Sequence, residues 1–175
     1  MNLAEYRQFV RSVASNRNGE PIYNASVEHA SIVVESLFAS ADRRVDVLSG
    51  ILNARVYGRE SVIEEAKLFL ASSAKNRLRI ILEKDSPEDR MIHPFFKACA
   101  SMPNIELRVA PQKVQDMYGF HFVLVDDDSY RFESDKTKPS AVAAFGHKEG
   151  AENLNEIYEY LWDQCERVNV IPPPL

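Results

Sequence analysis

The sequence predicts an α/β fold in which a mixed sheet is flanked by helices, with a two-helix extension at the amino terminus. Three observations predict it. In residues 44–110, short apolar runs alternate with segments of helical periodicity, an order typical of parallel strands joined by helices. Residues 120–133 hold two strand-like runs around a polar turn, which is typical of an antiparallel hairpin. A long amphipathic segment at 151–168 predicts a final helix.

The amino-terminal extension is predicted over residues 1–42. Apolar residues recur at helical spacing in residues 3–13, and a second helix is expected over 26–41. Turn-forming residues at 16–21 separate the two helices. We expect this extension to pack on the α/β domain of residues 43–175, so that the chain forms one structural domain overall.

The remaining elements follow from periodicity and turn chemistry. Strands are expected at 44–48, 78–82, 105–110, 120–125, 130–133 and 142–145, and helices at 60–72, 94–101 and 151–168. Residues 51–59 are predicted to be irregular, and 84–90 and 136–140 to be solvated loops.

The composition narrows the classes of function. The 175 residues are 45% hydrophobic and 27% charged, which is ordinary for one globular domain. The formal net charge of −5 disfavours avid nucleic-acid binding, since proteins that neutralise phosphates are usually basic. No window approaches the ~18 apolar residues of a membrane span, and the first residues lack the apolar run of a signal peptide. We therefore expect a cytoplasmic protein without a membrane segment.

The predicted hairpin carries the residues of most chemical interest. Side chains alternate along a strand, so His121 and Val123 point to one face and Phe122 to the other. Both faces are otherwise apolar, which predicts a central strand with His121 as the polar exception. A lone histidine in such a strand is often a core residue that donates to a backbone carbonyl, and this interpretation stays open.

The segment from His121 to Asp128 resembles the HxKxxxxD motif of the phospholipase D superfamily. The predicted order of elements is similar as well, over about residues 22–168. The resemblance implies a histidine that attacks phosphorus, a lysine that binds the phosphate and an aspartate that orients a histidine. It also implies a homodimer in which two histidines face one phosphate, because family members with one motif per chain pair in this way. On this basis His121 and Asp128 are the candidate catalytic residues.

The sequence departs from that motif at the lysine. Val123 stands in its place, which removes the cation that would hold a phosphodiester and with it the main electrostatic stabilisation of the transition state. Arg131 would replace the lysine only if it projects into the same pocket. Arg59 is a second candidate for an anion contact, because it follows the first strand on the carboxyl side, where α/β sheets place ligands.

Three successive aspartates at the predicted hairpin tip leave the aspartate of the motif ambiguous. Asp126 or Asp127 could fill the structural place instead of Asp128. With Glu133, these carboxylates could also suggest a Mg²⁺ or Ca²⁺ site, but carboxylates in a turn diverge in direction. We therefore expect no metal site, and no cofactor.

Two functions of different classes remain. The first is a non-catalytic phospholipase D-like module for self-association and for binding a partner protein or ligand, in a bacterial regulatory or defence setting by analogy. The acidic charge and Val123 favour it, so the expectation leans against an enzyme. The second is a phosphodiesterase or nuclease with a site shared across a homodimer, in which His121 comes from each chain and Arg131 or Arg59 replaces the lysine. A third interpretation treats His121 as a core residue and the resemblance as coincidental.

Overall fold

A computed structural model of the protein describes residues 1–171. In this part of the chain, eight strands form one mixed sheet with helices on both faces, which confirms the predicted fold class. The helices are α1 (Leu3–Asn16), α2 (Val27–Ser40), α3 (Ala54–Tyr57), α4 (Glu60–Ser72), α5 (Pro87–Ile92), α6 (Pro94–Cys99), α7 (Gln112–Gln115) and α8 (Lys148–Trp162). The strands are β1 (Ile22–Asn24), β2 (Arg44–Ser49), β3 (Arg77–Leu82), β4 (Ile105–Val109), β5 (His121–Val125), β6 (Ser129–Glu133), β7 (Ala141–Phe145) and β8 (Glu166–Val168).

The strand order across the sheet is β1-β7-β6-β5-β2-β3-β4-β8. Strands β2, β3 and β4 pair in parallel, and helices form the crossover connections that parallel strands need. Strands β5, β6 and β7 form an antiparallel meander that joins the parallel part through β5 and β2. Because β5 runs antiparallel to β2, the first residue of β5 lies at the carboxyl edge of the parallel strands. Ligands bind at that edge in open α/β sheets.

Two apolar cores lie on the two faces of the sheet. Val47 and Val123 face the core formed with α2, α4 and α6, whereas Leu48, Phe122 and Leu124 face the core formed with α7 and α8. This alternation follows from the two-residue period of a strand. It also settles the orientation of the predicted hairpin, since residue 121 shares its face with Val123.

A buried ionic network fastens α8 to the sheet. The Asp46 carboxylate on β2 is inaccessible to solvent and accepts two hydrogen bonds from the Arg79 guanidinium on β3, at 2.7 and 2.9 Å. Arg79 also donates to Glu159 on α8 at 2.6 Å, and its guanidinium carbon lies 5.1 Å from the ring centroid of Trp162. The charges are thus paired across the interface instead of being left in an apolar core.

The structure differs from the predicted elements at short segments. The predicted loop at 84–90 gives way to α5, because Ser86 caps its amino terminus and Pro87 fits its first turn. The predicted helix at 151–168 ends at Trp162, and the chain turns back to pair β8 with β4. Residues 51–59, predicted to be irregular, contain the short helix α3.

The predicted amino-terminal extension also contains a strand. Besides the two helices, residues 1–42 hold β1, which pairs antiparallel with β7 at one edge of the sheet. The boundary at residue 42 stays a prediction, and the last four residues of the predicted 43–175 domain lie outside those the structure describes. Over residues 1–171, none of the helices has both the length and the apolar character that crossing a membrane requires.

Candidate functional site at His121

His121 is the first residue of β5 and lines a pocket of about 300 Å³ at the carboxyl edge of the parallel strands. Gly50, just after β2, packs beside it: a Cβ built on Gly50 would stand 3.4 Å from Cε1 of His121. The side chain of His121 is 14% exposed. The histidine is therefore partly accessible from the pocket, which argues against its being a fully enclosed core residue.

Both ring nitrogens of His121 face carboxylates. Nε2 lies 3.1 Å from Oε1 of Glu83, the residue that follows β3, and Nδ1 lies 3.8 Å from Oε2 of Glu133 at the end of β6. An ionised carboxylate only accepts hydrogen bonds, so the nitrogen that contacts Glu83 must be the protonated one. A protonated Nε2 has no free lone pair with which to attack phosphorus.

Glu83 is also held in place by a cation, Lys136. The Nζ of Lys136 lies 3.0 Å from the same Oε1, and it also lies 4.9 Å from the ring centroid of Tyr118. Burial alone would raise the pKa of Glu83, but the hydrogen bonds from Lys136 and His121 outweigh burial and lower the pKa below its usual value. The carboxylate is therefore ionised at neutral pH.

Arg131 lines the same pocket as His121 and lies next to Val123, which stands at the lysine position of the motif. Val123 is buried and pairs across the sheet with Arg131. The Arg131 guanidinium is already engaged by protein acceptors. Its Nε donates to Oδ1 of Asn24 at 3.2 Å, one terminal nitrogen donates to Glu133, and the other donates to the carbonyl of Pro139 at 3.3 Å. Arg131 thus lines the pocket, while each of its three nitrogens donates a hydrogen bond within the fold.

Asp128 is not brought to His121. His121 begins β5, whereas Asp128 lies in the turn beyond the other end of that strand, whose four residue steps span about 13 Å. Asp128 instead accepts hydrogen bonds from Arg17 and from the hydroxyl of Ser129. The aspartate that follows the histidine by seven residues thus cannot orient the histidine of its own chain.

The neighbouring aspartates have different surroundings. Asp126 has a positive φ of 50° and accepts from the backbone N–H groups of residues 42–44, each at 2.9 Å, so it fixes the entry into β2. Asp127 is 65% exposed and pairs with Arg43. Among the residues the structure describes, no three His, Cys, Asp or Glu side chains are grouped as they would be in a metal site.

Arg59 lies outside the pocket. Its Nε donates to the carbonyl of Arg55 at 3.0 Å, and a terminal nitrogen lies 3.7 Å from Oε1 of Glu28. It is half exposed on the surface beside α4. Of the four predicted site residues, the structure therefore groups His121 with Arg131 and separates them from Asp128 and Arg59.

Sequence reasoning missed Glu83 and Lys136. A signal for Glu83 was available, because it directly follows a buried parallel strand, where α/β folds collect functional side chains. Lys136 belongs to the loop between β6 and β7, and no local pattern predicts that its side chain reaches across to Glu83.

Comparison with protein families matches residues 26–170 to the family described as Domain of unknown function (DUF7931). Comparison with curated protein sequences finds no match. Among solved structures, Nuc from Salmonella typhimurium, a phospholipase D family member, is similar with a TM-score of 0.58 and 16% identity, over 86% of this chain and 99% of that chain. NucT from Helicobacter pylori is similar with a TM-score of 0.57 and 11% identity, over 85% of this chain and 99% of that chain.

An archaeal chromatin protein, TrmBL2, whose structure shows a novel mode of DNA binding, is similar with a TM-score of 0.62 and 12% identity. That match covers 94% of this chain, which spans 60% of the length of TrmBL2. At these identities the likeness establishes the fold, which is phospholipase D-like. The chain belongs to the family described as Domain of unknown function (DUF7931), and it has a phospholipase D-like α/β fold.

Proposed function

We propose that this protein is a non-catalytic phospholipase D-like module that self-associates and binds a ligand or partner at the His121 pocket. The contact between Nε2 of His121 and the Glu83 carboxylate carries this proposal. It assigns the histidine to a hydrogen bond within the fold, whereas a nucleophile needs a free lone pair.

The charge distribution around His121 supports the same proposal. Two carboxylates, Glu83 and Glu133, flank the imidazole, and the motif's lysine is replaced by the buried Val123. Three cations also line the pocket, but each is paired with a carboxylate: Arg131 with Glu133, Lys136 with Glu83 and Lys138 with Asp135. A phosphodiester would have to compete with these carboxylates, and no cation stands at the motif position.

Self-association is proposed from the extent of the fold. Nuc and NucT each match over 99% of their own length, so this chain contains the fold of these proteins once. Ile51 adds an apolar contact surface, because it lines the His121 pocket and is 62% exposed. Pairing through this face would place the two His121 pockets near each other, as the resemblance implies. A cytoplasmic bacterial regulatory or defence role remains part of the proposal by analogy.

Hydrolysis assays test the absence of catalysis. Purified protein and the His121→Ala variant are incubated with bis-p-nitrophenyl phosphate and with single- and double-stranded DNA, with and without added divalent metal. We expect no turnover above background by either protein. Turnover by the wild type that disappears in His121→Ala would contradict the proposal and favour the phosphodiesterase, with Arg131 supplying the charge of the missing lysine.

A further inference from the structure

We infer that His121 and Lys136 form a binding position for an oxyanion, which the carboxylate of Glu83 occupies. An external phosphate or carboxylate group binds there only by displacing Glu83. This rests on the proposed ligand-binding function of the pocket. It deepens that proposal by naming the chemical class of the ligand and the group that controls access.

One oxygen atom of Glu83 marks the position. Its Oε1 lies 3.1 Å from Nε2 of His121 and 3.0 Å from Nζ of Lys136. Two converging nitrogen donors on one anionic oxygen are the arrangement by which proteins hold phosphates and carboxylates. The donors come from β5 and from the β6–β7 loop, whereas the oxygen comes from the residue after β3. The position is thus assembled by tertiary structure and is filled by the protein's own carboxylate.

The backbone segments that carry the two donors are held independently of the Glu83 side chain. The backbone N–H of Lys136 donates to the carbonyl of Gly119 at 2.9 Å, and His121 is part of the paired strand β5. The backbone N–H of Glu83 donates to the carbonyls of Ser49 and Gly50, both at 3.1 Å. Rotation of the Glu83 side chain would therefore vacate the oxygen position without a change in the backbone of any of the three residues.

The adjoining pocket can hold the rest of a small ligand. Its volume of about 300 Å³ is of the size that proteins use for small molecules. Asn53, Tyr57 and Thr137 supply polar groups along its wall, and Val56 and Ile51 supply apolar ones. A free oxyanion and a larger molecule that carries one would share the same contact with His121 and Lys136.

Titrations followed by calorimetry test the inference, with inorganic phosphate and acetate as separate probes. Glu83→Gln removes the charge of the occupant, and Glu83→Ala also vacates its position. We expect either variant to bind at least one of the two probes roughly tenfold or more tightly than the wild type, because the competing and repelling carboxylate is gone. The preferred probe then distinguishes a phosphate ligand from a carboxylate ligand.

Two lysines of the same loop give a matched control. Added to Glu83→Ala, Lys136→Met should abolish the gain. Lys138→Met should preserve it, because Lys138 lines the same pocket but its Nζ pairs with Asp135 and does not contact Glu83. Equal affinity of the wild type and both Glu83 variants, with unchanged circular dichroism, would overturn the inference. A gain that survives Lys136→Met would overturn it as well.

A measurement on the wild type avoids dependence on the folding of the Glu83 variants. Excess phosphate or acetate should shift the imidazole ¹⁵N resonances of His121, and the same titration of Lys136→Met should leave them unmoved. Resonances that stay fixed in the wild type with both probes contradict the inference. That result would not contradict the proposal that the protein is non-catalytic. Hydrolysis of a phosphodiester by the wild type would contradict that proposal, but it would not contradict the displacement of Glu83 by an oxyanion.

Discussion

At the scale of single residues, the contact with Glu83 is the feature that bears most on the role we propose for His121. The strand pattern predicted the position of His121, and the structure groups it with Arg131 in one pocket, as replacement of the lysine would require. The place of Glu83 directly after a buried strand was a signal in the sequence, but no pattern could show that Glu83 and Lys136 meet beside His121, because that contact forms only in the folded chain. Local periodicity carries no information on tertiary contacts between side chains.

The acid sensitivity of the fold should depend on Glu83. Its contacts with His121 and Lys136 lower the pKa of its carboxyl group in the folded state. The carboxylate therefore stabilises the fold above its unfolded-state pKa of about 4.3, and this contribution is lost as the pH falls through the lower folded value. Urea denaturation at a series of pH values should show a steeper fall of unfolding free energy below about pH 4.3 for the wild type than for Glu83→Gln. Parallel curves would contradict this assignment.

Asp126 and Asp127 give a matched pair for stability. Asp126→Ala removes the acceptor of the backbone N–H groups of residues 42–44, and we expect a loss of about 2 kcal/mol in unfolding free energy. Asp127→Ala removes a carboxylate in an exposed ion pair and should cost less than about 0.5 kcal/mol. Equal losses in chemical denaturation would show that the hydrogen bonds of Asp126 do not fix the entry into β2.

At the scale of elements, helices and strands with strong periodicity were predictable, and the shortest ones were not. Strands β2 to β7 and helices α2 and α4 follow the predicted ranges closely, since each carries its own apolar pattern. Strands β1 and β8 have three residues each and exist through pairing with β7 and β4. Tertiary pairing decides such segments, so local propensity cannot predict them.

The attachment of α8 should depend on Arg79. Arg79→Met removes the guanidinium that donates two hydrogen bonds to the buried Asp46 and leaves it only Arg44, whose Nε lies 2.9 Å from Oδ2. Removal of one partner from a buried pair typically costs about 3–5 kcal/mol, and we expect the lower end of that range because Arg44 remains. Arg167→Met serves as the control, because Arg167 is largely exposed and lies 3.7 Å from Glu106 at the sheet edge. Thermal unfolding should show a large decrease in Tm for Arg79→Met and little change for the control. Similar Tm values would contradict a structural role for the network.

At the scale of the whole molecule, the proposed dimer links the pocket to assembly. We expect sedimentation equilibrium to give twice the monomer mass for the wild type. If the pocket face is the interface, Ile51→Glu should shift the monomer–dimer equilibrium to the monomer, because dimerisation would then bury the charge of the glutamate. Leu68→Glu is the matched control, since Leu68 is similarly exposed at 64% but lies on α4 and does not line the pocket. A monomeric wild type, or equal effects of the two variants, would contradict this arrangement.

We propose that the Nε2 nitrogen of His121 donates to Glu83 and is therefore unavailable as a nucleophile. ¹⁵N NMR of the His121 imidazole in the wild-type protein near neutral pH reports the protonation of this nitrogen. We expect Nε2 to carry a proton, and we expect its signal to change in Glu83→Gln. An unprotonated Nε2 with the same shift in both proteins would contradict this proposal, because His121 would then keep the free lone pair of a nucleophile.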